Sequence, residues 1–195
     1  MIVYGLIWQT LNLRKHLPNL NDRKINRSFS IVVIVCHLTA SSAKINQMRI
    51  LYIFPHPDDE SFGPAAAIWN HKQKGYEVHL LTLTKGGATK VRHALELSVE
   101  EMGDVRHKEM LNMANVLSLN SFHILDFPDS GLADIDPRII EDAVKQHILR
   151  IKPDIIISYP VHGISGFHDH LVAHAVVKRV FCQLRDEKND WLRRF

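Results

Sequence analysis

The sequence predicts a doubly wound α/β fold, a mostly parallel, Rossmann-like sheet with helices on both faces. Three observations carry that expectation. Short, continuously apolar runs such as Ile50-Leu51-Tyr52-Ile53-Phe54 and Ile155-Ile156-Ile157 have the length of strands buried on both faces. They alternate with longer stretches of helical period. Glycine, proline and polar clusters punctuate the alternation, and no internal repeat or low-complexity tract interrupts it.

Taken in order, residues 49–54 are expected to form the first strand and 61–74 a helix stopped by Gly75. A second strand covers 78–84, a polar loop or lid 86–103, and a helix 105–117. A short third strand at 122–125 leads into a turn holding Pro128, Asp129 and Gly131. The next helix starts at Pro137, a residue favoured in a first helical turn, and runs to Ile151. A strand over 154–159, a glycine-containing loop and a helix over 169–184 complete the alternation. Residues 186–195, with mixed charges around Trp191, read as a solvated stretch, and Trp69 as a packing residue rather than a sugar platform.

At 195 residues, 46% hydrophobic and 23% charged, the chain supports one core. Residues 1–47 hold six Lys/Arg against one Asp, whereas the remainder holds eighteen basic against twenty acidic residues, so the net charge of +3 belongs to the leading segment. The body has no basic run that would track phosphates, which argues against nucleic acid as a partner. The apolar run 29–39, followed by Ala40-Ser41-Ser42-Ala43, imitates a signal peptide but begins far from Met1 and is too short to span a bilayer. Residues 1–47 are therefore read as a poorly ordered leader or as sequence upstream of a start at Met48, with the domain occupying 48–195 and membrane attachment set aside. Cys36 and Cys182 show no paired spacing, which fits a reducing, cytoplasmic setting. Eleven of the thirteen histidines lie beyond Met48, a supply of metal ligands.

In open α/β sheets ligands bind outside the carboxyl ends of the strands, and the unusual residues gather there. His56, Asp58 and Asp59 follow the first strand, Lys85, Gly86 and Gly87 the second, and Asp126 and Asp129 the third. His162, His168, Asp169 and His170 follow the fourth. His56 and Asp59, three apart on the turn leaving a strand, can converge on one ion while Asp58 points elsewhere, and His170 can supply a third ligand. Three N/O ligands with one position left for water is the arrangement of a catalytic zinc, and Asp58 is then free to act as base toward that water. A bland alternative, that Asp58 or Asp59 only caps the following helix, leaves the adjacent histidine unexplained. His174 shares a helix face with His170 and is read as a buried polar group rather than a ligand. Gly86-Gly87 does not make a nucleotide site, since neither GxGxxG nor GxxxxGK[ST] occurs.

The segment Pro55-His56-Pro57-Asp58-Asp59-Glu60 resembles the Ala-His-Pro-Asp-Asp-Glu motif of the PIG-L / LmbE-like N-acetylglucosaminyl deacetylase family. Five further segments follow in family order. Thr84-Lys85-Gly86-Gly87 is similar to its Thr-Arg-Gly, Arg106 to Glu109 to its Arg-x-x-Glu helix opening, and Asp126 to Gly131 to its Asp-x-x-Asp-Gly turn. Lys152-Pro153-Asp154 is similar to its Arg-Pro-Asp, and Gly166-Phe167-His168-Asp169-His170 to its Gly-His-Pro-Asp-His. The resemblance covers Met48 to about Leu184. It implies metal ligands His56, Asp59 and His170, catalytic base Asp58, a substrate contact at Arg106, and zinc or another divalent metal as cofactor. The family's oxyanion or proton-donor histidine aligns with Phe167. That role is therefore expected of the displaced His168, with His162 or protonated Asp58 as alternatives. The resemblance also implies a C-terminus that stops before the last strands and helix of the family, leaving a sheet edge unpaired.

The expected function is zinc-dependent removal of acetyl from an N-acetyl sugar conjugate or related small amide. The alternatives are a non-catalytic α/β binding module that retains the metal motif, and a glycolipid deacetylase anchored through the leader.

Overall fold

In the computed structural model, which describes residues 47–195, strands and helices alternate through the chain. The expected leader lies outside the described residues apart from Gln47. Strand β1 (Arg49–Phe54) is flanked by β2 (Glu77–Thr84) and β4 (Ile155–Ile157), and β3 (Ser121–Phe127) lies outside β2. The sheet order is β3-β2-β1-β4 and every pairing is parallel. Helices α1 (Asp59–Phe62) and α2 (Ala65–Gln73) connect β1 to β2, and α3 (Val91–Ala94) and α4 (Val99–Val116) connect β2 to β3. Helix α5 (Pro137–Ile151) precedes β4 and α6 (His168–Asp186) follows it.

Because β1 is paired on both edges and covered on both faces, its alternate side chains feed two cores. Leu51 and Ile53 pack with Leu81 and Leu83 of β2, Ile140 and Val144 of α5 and Val177 and Val180 of α6. Ile50, Tyr52 and Phe54 face the other way, onto Val78, Leu80, Ile68 of α2 and Met110 of α4. This is the doubly wound architecture the apolar runs predict. The chain builds outward from β1 to β3 and then returns to place β4 on the opposite side of β1. The topological switch point therefore lies between the carboxyl ends of β1 and β4.

Several element boundaries differ from expectation. The helix expected over 61–74 is two helices broken at Gly63-Pro64, since Pro64 has no N–H to donate and disfavours helical geometry in the residue before it. The loop expected over 86–103 is shorter, because α4 starts at Val99. Ser98 accepts the Glu101 amide at 3.1 Å and the Glu101 carboxylate accepts the Ser98 amide at 2.9 Å, a capping box written in the sequence as Ser-x-x-Glu. Strand β3 is longer and β4 shorter than expected. Residues 186–195 are not a solvated stretch. The Ile156 amide donates to the Arg194 carbonyl at 3.0 Å and the Arg193 amide to the Asp154 carbonyl at 2.9 Å, while Leu192 is buried in the core beside β4. The otherwise open edge of β4 captures this segment as a parallel bridge. Trp69 is half exposed rather than packed. Among the described residues no helix is long and apolar enough to cross a membrane.

Leu192→Ala should therefore cost about 2–5 kcal/mol, the range for truncating a buried leucine, whereas Asp190→Ala beside it should stay within about 0.5 kcal/mol. Chemical denaturation of the two variants checks this, and equal stabilities would show that the terminal segment is not part of the core.

Candidate active site

The switch point gathers side chains from the ends of β1 and β4. The Asp59 carboxylate holds the junction together. Its Oδ2 accepts the His56 backbone amide at 2.9 Å and lies 3.6 Å from His56 Nδ1, while its Oδ1 accepts the Tyr159 hydroxyl at 2.5 Å and lies 3.5 Å from His170 Nε2. His170 Nδ1 donates to the Gly163 carbonyl at 3.0 Å, a bond that leaves the Nε2 lone pair facing Asp59. Gly163, at φ +61°, allows that approach, since a Cβ there would fall 2.9 Å from the His170 Cβ. The Tyr159 ring stacks on His170 with centroids 4.0 Å apart, fixing the imidazole plane. One ligand atom from each of His56, Asp59 and His170 lies within 4.8 Å of the others, so the three expected ligands do converge.

On its far side His56 meets two more carboxylates. Nε2 lies 3.0 Å from Asp169 Oδ2 and 3.3 Å from Asp129 Oδ1. Asp169 is fully buried and accepts the amides of Ser130 and Leu132, at 2.8 and 3.2 Å, and Asp129 accepts that of Ala88 at 2.7 Å. His56, Asp129 and Asp169 form a second group with ligand geometry, on the Nε2 side of the imidazole. An Nε2–H donated to Asp169 leaves Nδ1 as the lone pair facing Asp59 and His170, the histidine–carboxylate arrangement that orients a metal ligand. The set His56 Nδ1, Asp59 and His170 Nε2 fits an N/O-bound divalent cation with open positions.

The charges respond to this crowding. Burial alone lowers the His56 pKa, but hydrogen bonds to Asp169 and Asp59 and the charges of Asp59 and Asp129 outweigh it and push it up to about 9. Burial raises the Asp59 carboxyl, yet its hydrogen bonds from His56 and Tyr159 bring the net value below the ordinary carboxylate range. Burial also raises Glu60, which accepts the Ser61 hydroxyl and the Asp58 amide, and raises the Tyr159 hydroxyl.

These residues floor a cavity of about 500 Å³, a size suited to a small-molecule ligand. Asp58 and Arg106 line it beside the ligand set, and Phe62, Ile164 and Phe167 wall its mouth. Asp58 is not a member of either ligand group, and its carboxylate pairs with Arg106. His168 is not brought there. It is exposed at the first position of α6, outside the cavity wall, and Phe167 occupies the wall with its ring centroid 5.5 Å from that of His56 and 5.6 Å from that of His170. His162 is also exposed and outside the wall, its Nδ1 accepting the Ile164 amide. His174 bonds the Tyr159 carbonyl at 2.8 Å, the buried polar role expected of it, and Lys85 pairs with Asp126. Tyr159 and the partnership of Asp169 with His56 escaped the sequence reading. The only signal for either was its position at the carboxyl end of β4.

A family model described as PIG-L: GlcNAc-PI de-N-acetylase matches residues 51–181. A probable N-acetyl-alpha-D-glucosaminyl L-malate deacetylase 2 of Bacillus subtilis is 27% identical over 142 residues, covering 72% of this chain and 64% of the relative. The chain thus spans less than two thirds of that relative's length. Among solved structures, an N,N'-diacetylchitobiose deacetylase from Pyrococcus horikoshii superposes with a TM-score of 0.59 at 18% identity, covering 85% of this chain and 61% of that one. The 4-carboxy-2-hydroxymuconate hydratase GalB of Pseudomonas putida gives 0.55 at 19% identity, covering 70% and 56%. Both show the α/β fold, and the hydratase shows that this fold also carries other chemistry.

The raised His56 value has a definite sign in the metal-free protein. The folded state holds the imidazolium more tightly than the unfolded chain, so the stabilisation is complete below about 6.5 and is lost as pH rises through about 9. An NMR titration should place the His56 midpoint well above that of an exposed histidine. In Asp169→Asn the midpoint should fall, and an unchanged midpoint would mean that Asp169 is not the controlling partner.

Proposed function

The chain belongs to the PIG-L family, that of GlcNAc-PI de-N-acetylase, and from that premise we infer that it is a metal-dependent N-deacetylase hydrolysing the acetamide of an N-acetylated sugar conjugate or related small amide. The observation that carries this reading is the convergence of His56, Asp59 and His170 on one point of the cavity floor, with Asp58, outside that set, in the same cavity wall. The three ligands would hold the cation, and the His/Asp/His donor set suits zinc, with other divalent metals accommodated. A cation bound there supplies Lewis acidity to the acetamide carbonyl and lowers the pKa of a coordinated water.

The protein's own groups divide the remaining work. Asp169 and the Gly163 carbonyl orient the two imidazoles, and Tyr159 holds the outer oxygen of Asp59. The Asp58 carboxylate takes the proton of the attacking water. In this reading Asp58 also returns that proton to the departing amine, which the absence of His168 and His162 from the cavity wall supports. Phe167 and Phe62 keep the mouth apolar and limit competing water. The products are acetate and a free amine.

Asp58→Ala should retain the metal, measured by elemental analysis, and lose acetate release from N-acetylglucosamine conjugates by about 10²–10⁴-fold, the range for removing a general acid–base group. Chelation should abolish the wild-type rate and zinc should restore it. A wild-type protein that binds metal but releases no acetate would instead support a non-catalytic binding module.

A further inference from the structure

Asp58 occupies a backbone conformation that an L-residue rarely adopts. Its φ is +99° and its ψ −24°, in a residue that carries a Cβ. Aspartate enters the left-handed region more readily than most residues, and the contacts around Asp58 hold it there. Three contacts do so. The Arg106 guanidinium, reaching over from α4, donates through Nη2 to the Pro57 carbonyl, the peptide preceding Asp58. The same Nη2 donates to Asp58 Oδ2 at 2.5 Å. From the other side, the buried Glu60 carboxylate accepts the Asp58 amide at 3.2 Å. One side chain thereby fixes the peptide on one side of the Asp58 Cα and the carboxylate on the other, which sets φ and the side-chain direction together.

A second, independent feature gives Arg106 its path. Gly86, at φ +68°, lies against Pro57 and the guanidinium. A Cβ built there would fall 2.7 Å from Pro57 Cδ and 3.6 Å from Arg106 Nε. The side chain of Arg106 is largely covered, with about 14% of its surface exposed, and its Nε has no hydrogen-bond partner among the described residues. Its Nη2 is thus committed to Pro57 and Asp58, although the guanidinium also lines the cavity.

We propose that Arg106 is a positioning residue that locks Asp58 in its left-handed conformation and aims its carboxylate at the cation site, with Glu60 and Gly86 as the other parts of the clamp. This rests on the deacetylase reading above and revises the substrate contact that the family resemblance implies for Arg106. Acting through Asp58, it influences the chemical step rather than substrate affinity.

Steady-state kinetics of zinc-loaded Arg106→Ala on an N-acetylglucosamine conjugate test this. The expected result is a kcat lowered on the order of 100-fold, the scale of a misaimed catalytic group, with KM within about threefold of wild type and metal content unchanged. Added guanidinium or methylguanidinium should raise kcat again, which a general loss of structure would not allow. A KM raised more than about tenfold with wild-type kcat would overturn the proposal and return Arg106 to substrate binding. Arg106→Gln, which keeps one amide donor, should lie between the two, and a wild-type kcat in that variant would also overturn it. Gly86→Ala should lower kcat by displacing Pro57, without removing the guanidinium. The backbone is read separately from activity. In Arg106→Ala, NMR shifts and the amide–Cα proton coupling of Asp58 should leave the left-handed range, and unchanged values would refute the clamp. If the wild-type protein released no acetate, the deacetylase reading would fail while this last measurement still decided the clamp.

Discussion

Strand β1 has no face or edge open to solvent, and the rest of the molecule is arranged by that constraint. Flanked by β2 and β4 and covered by helices above and below, Ile50 to Phe54 must be apolar throughout, and their alternation divides the protein into two cores. The strand also sets where chemistry can occur. A buried strand ends abruptly where the chain must turn back over the sheet, and at a switch point the crossovers on its two sides diverge and leave a crevice. Pro55 and His56 emerge into that crevice from β1, and Tyr159 enters it from the end of β4. Asp59 joins the two by accepting from the His56 amide and the Tyr159 hydroxyl. The same carboxylate that closes the crevice structurally is the middle of the candidate ligand set.

The electrostatics follow from putting several carboxylates around one imidazole. Asp59, Asp129 and Asp169 are all largely withdrawn from water at His56, and carboxylates tolerate this only with donors and a compensating charge. Backbone amides of His56, Ala88, Ser130 and Leu132 supply donors. The compensating charge in the metal-free state is the His56 imidazolium, which is why its pKa is raised in spite of burial. A divalent cation would take over that duty at the Nδ1 side while Nε2–H stays on Asp169. Proton and metal then compete for the same nitrogen, and metal binding is coupled to proton release.

The sequence makes β1, β2 and the pairing of His56 with Asp59 legible for a simple reason: each is specified by local spacing. Buried strands are continuous apolar runs, and His56 and Asp59 sit on one turn. The features it hid depend on distant partners or on register. Residues 186–195 carry no period, and they are ordered only because the edge of β4 is open beside them. Tyr159 and Asp169 acquire meaning only from what lies across the crevice. His168 shows the cost of a register error. Phe167 takes the extended cap position before α6 and turns into the cavity, and the next residue around a helix is rotated by about 100°, which carries His168 out to solvent. The start of α4, by contrast, was available in Ser98 and Glu101, and Pro64 marked the break between α1 and α2.

For the proposed deacetylation, with Phe167 in the wall, the proton balance would have to close without an imidazole in the cavity other than the two candidate ligands. In the proposed reaction, cleavage of the C–N bond leaves a basic amine nitrogen, which takes up the proton that the carboxylate accepted from the water. One carboxylate can therefore serve as base and then as acid, provided it reaches both the water and the amine nitrogen without reorienting. That requirement falls on the direction of a single side chain. It gives a physical reason for the contacts around Asp58 to be so many for a residue that binds no metal: two donations from Arg106, one acceptance by Glu60, and a glycine at position 86 that makes room for them.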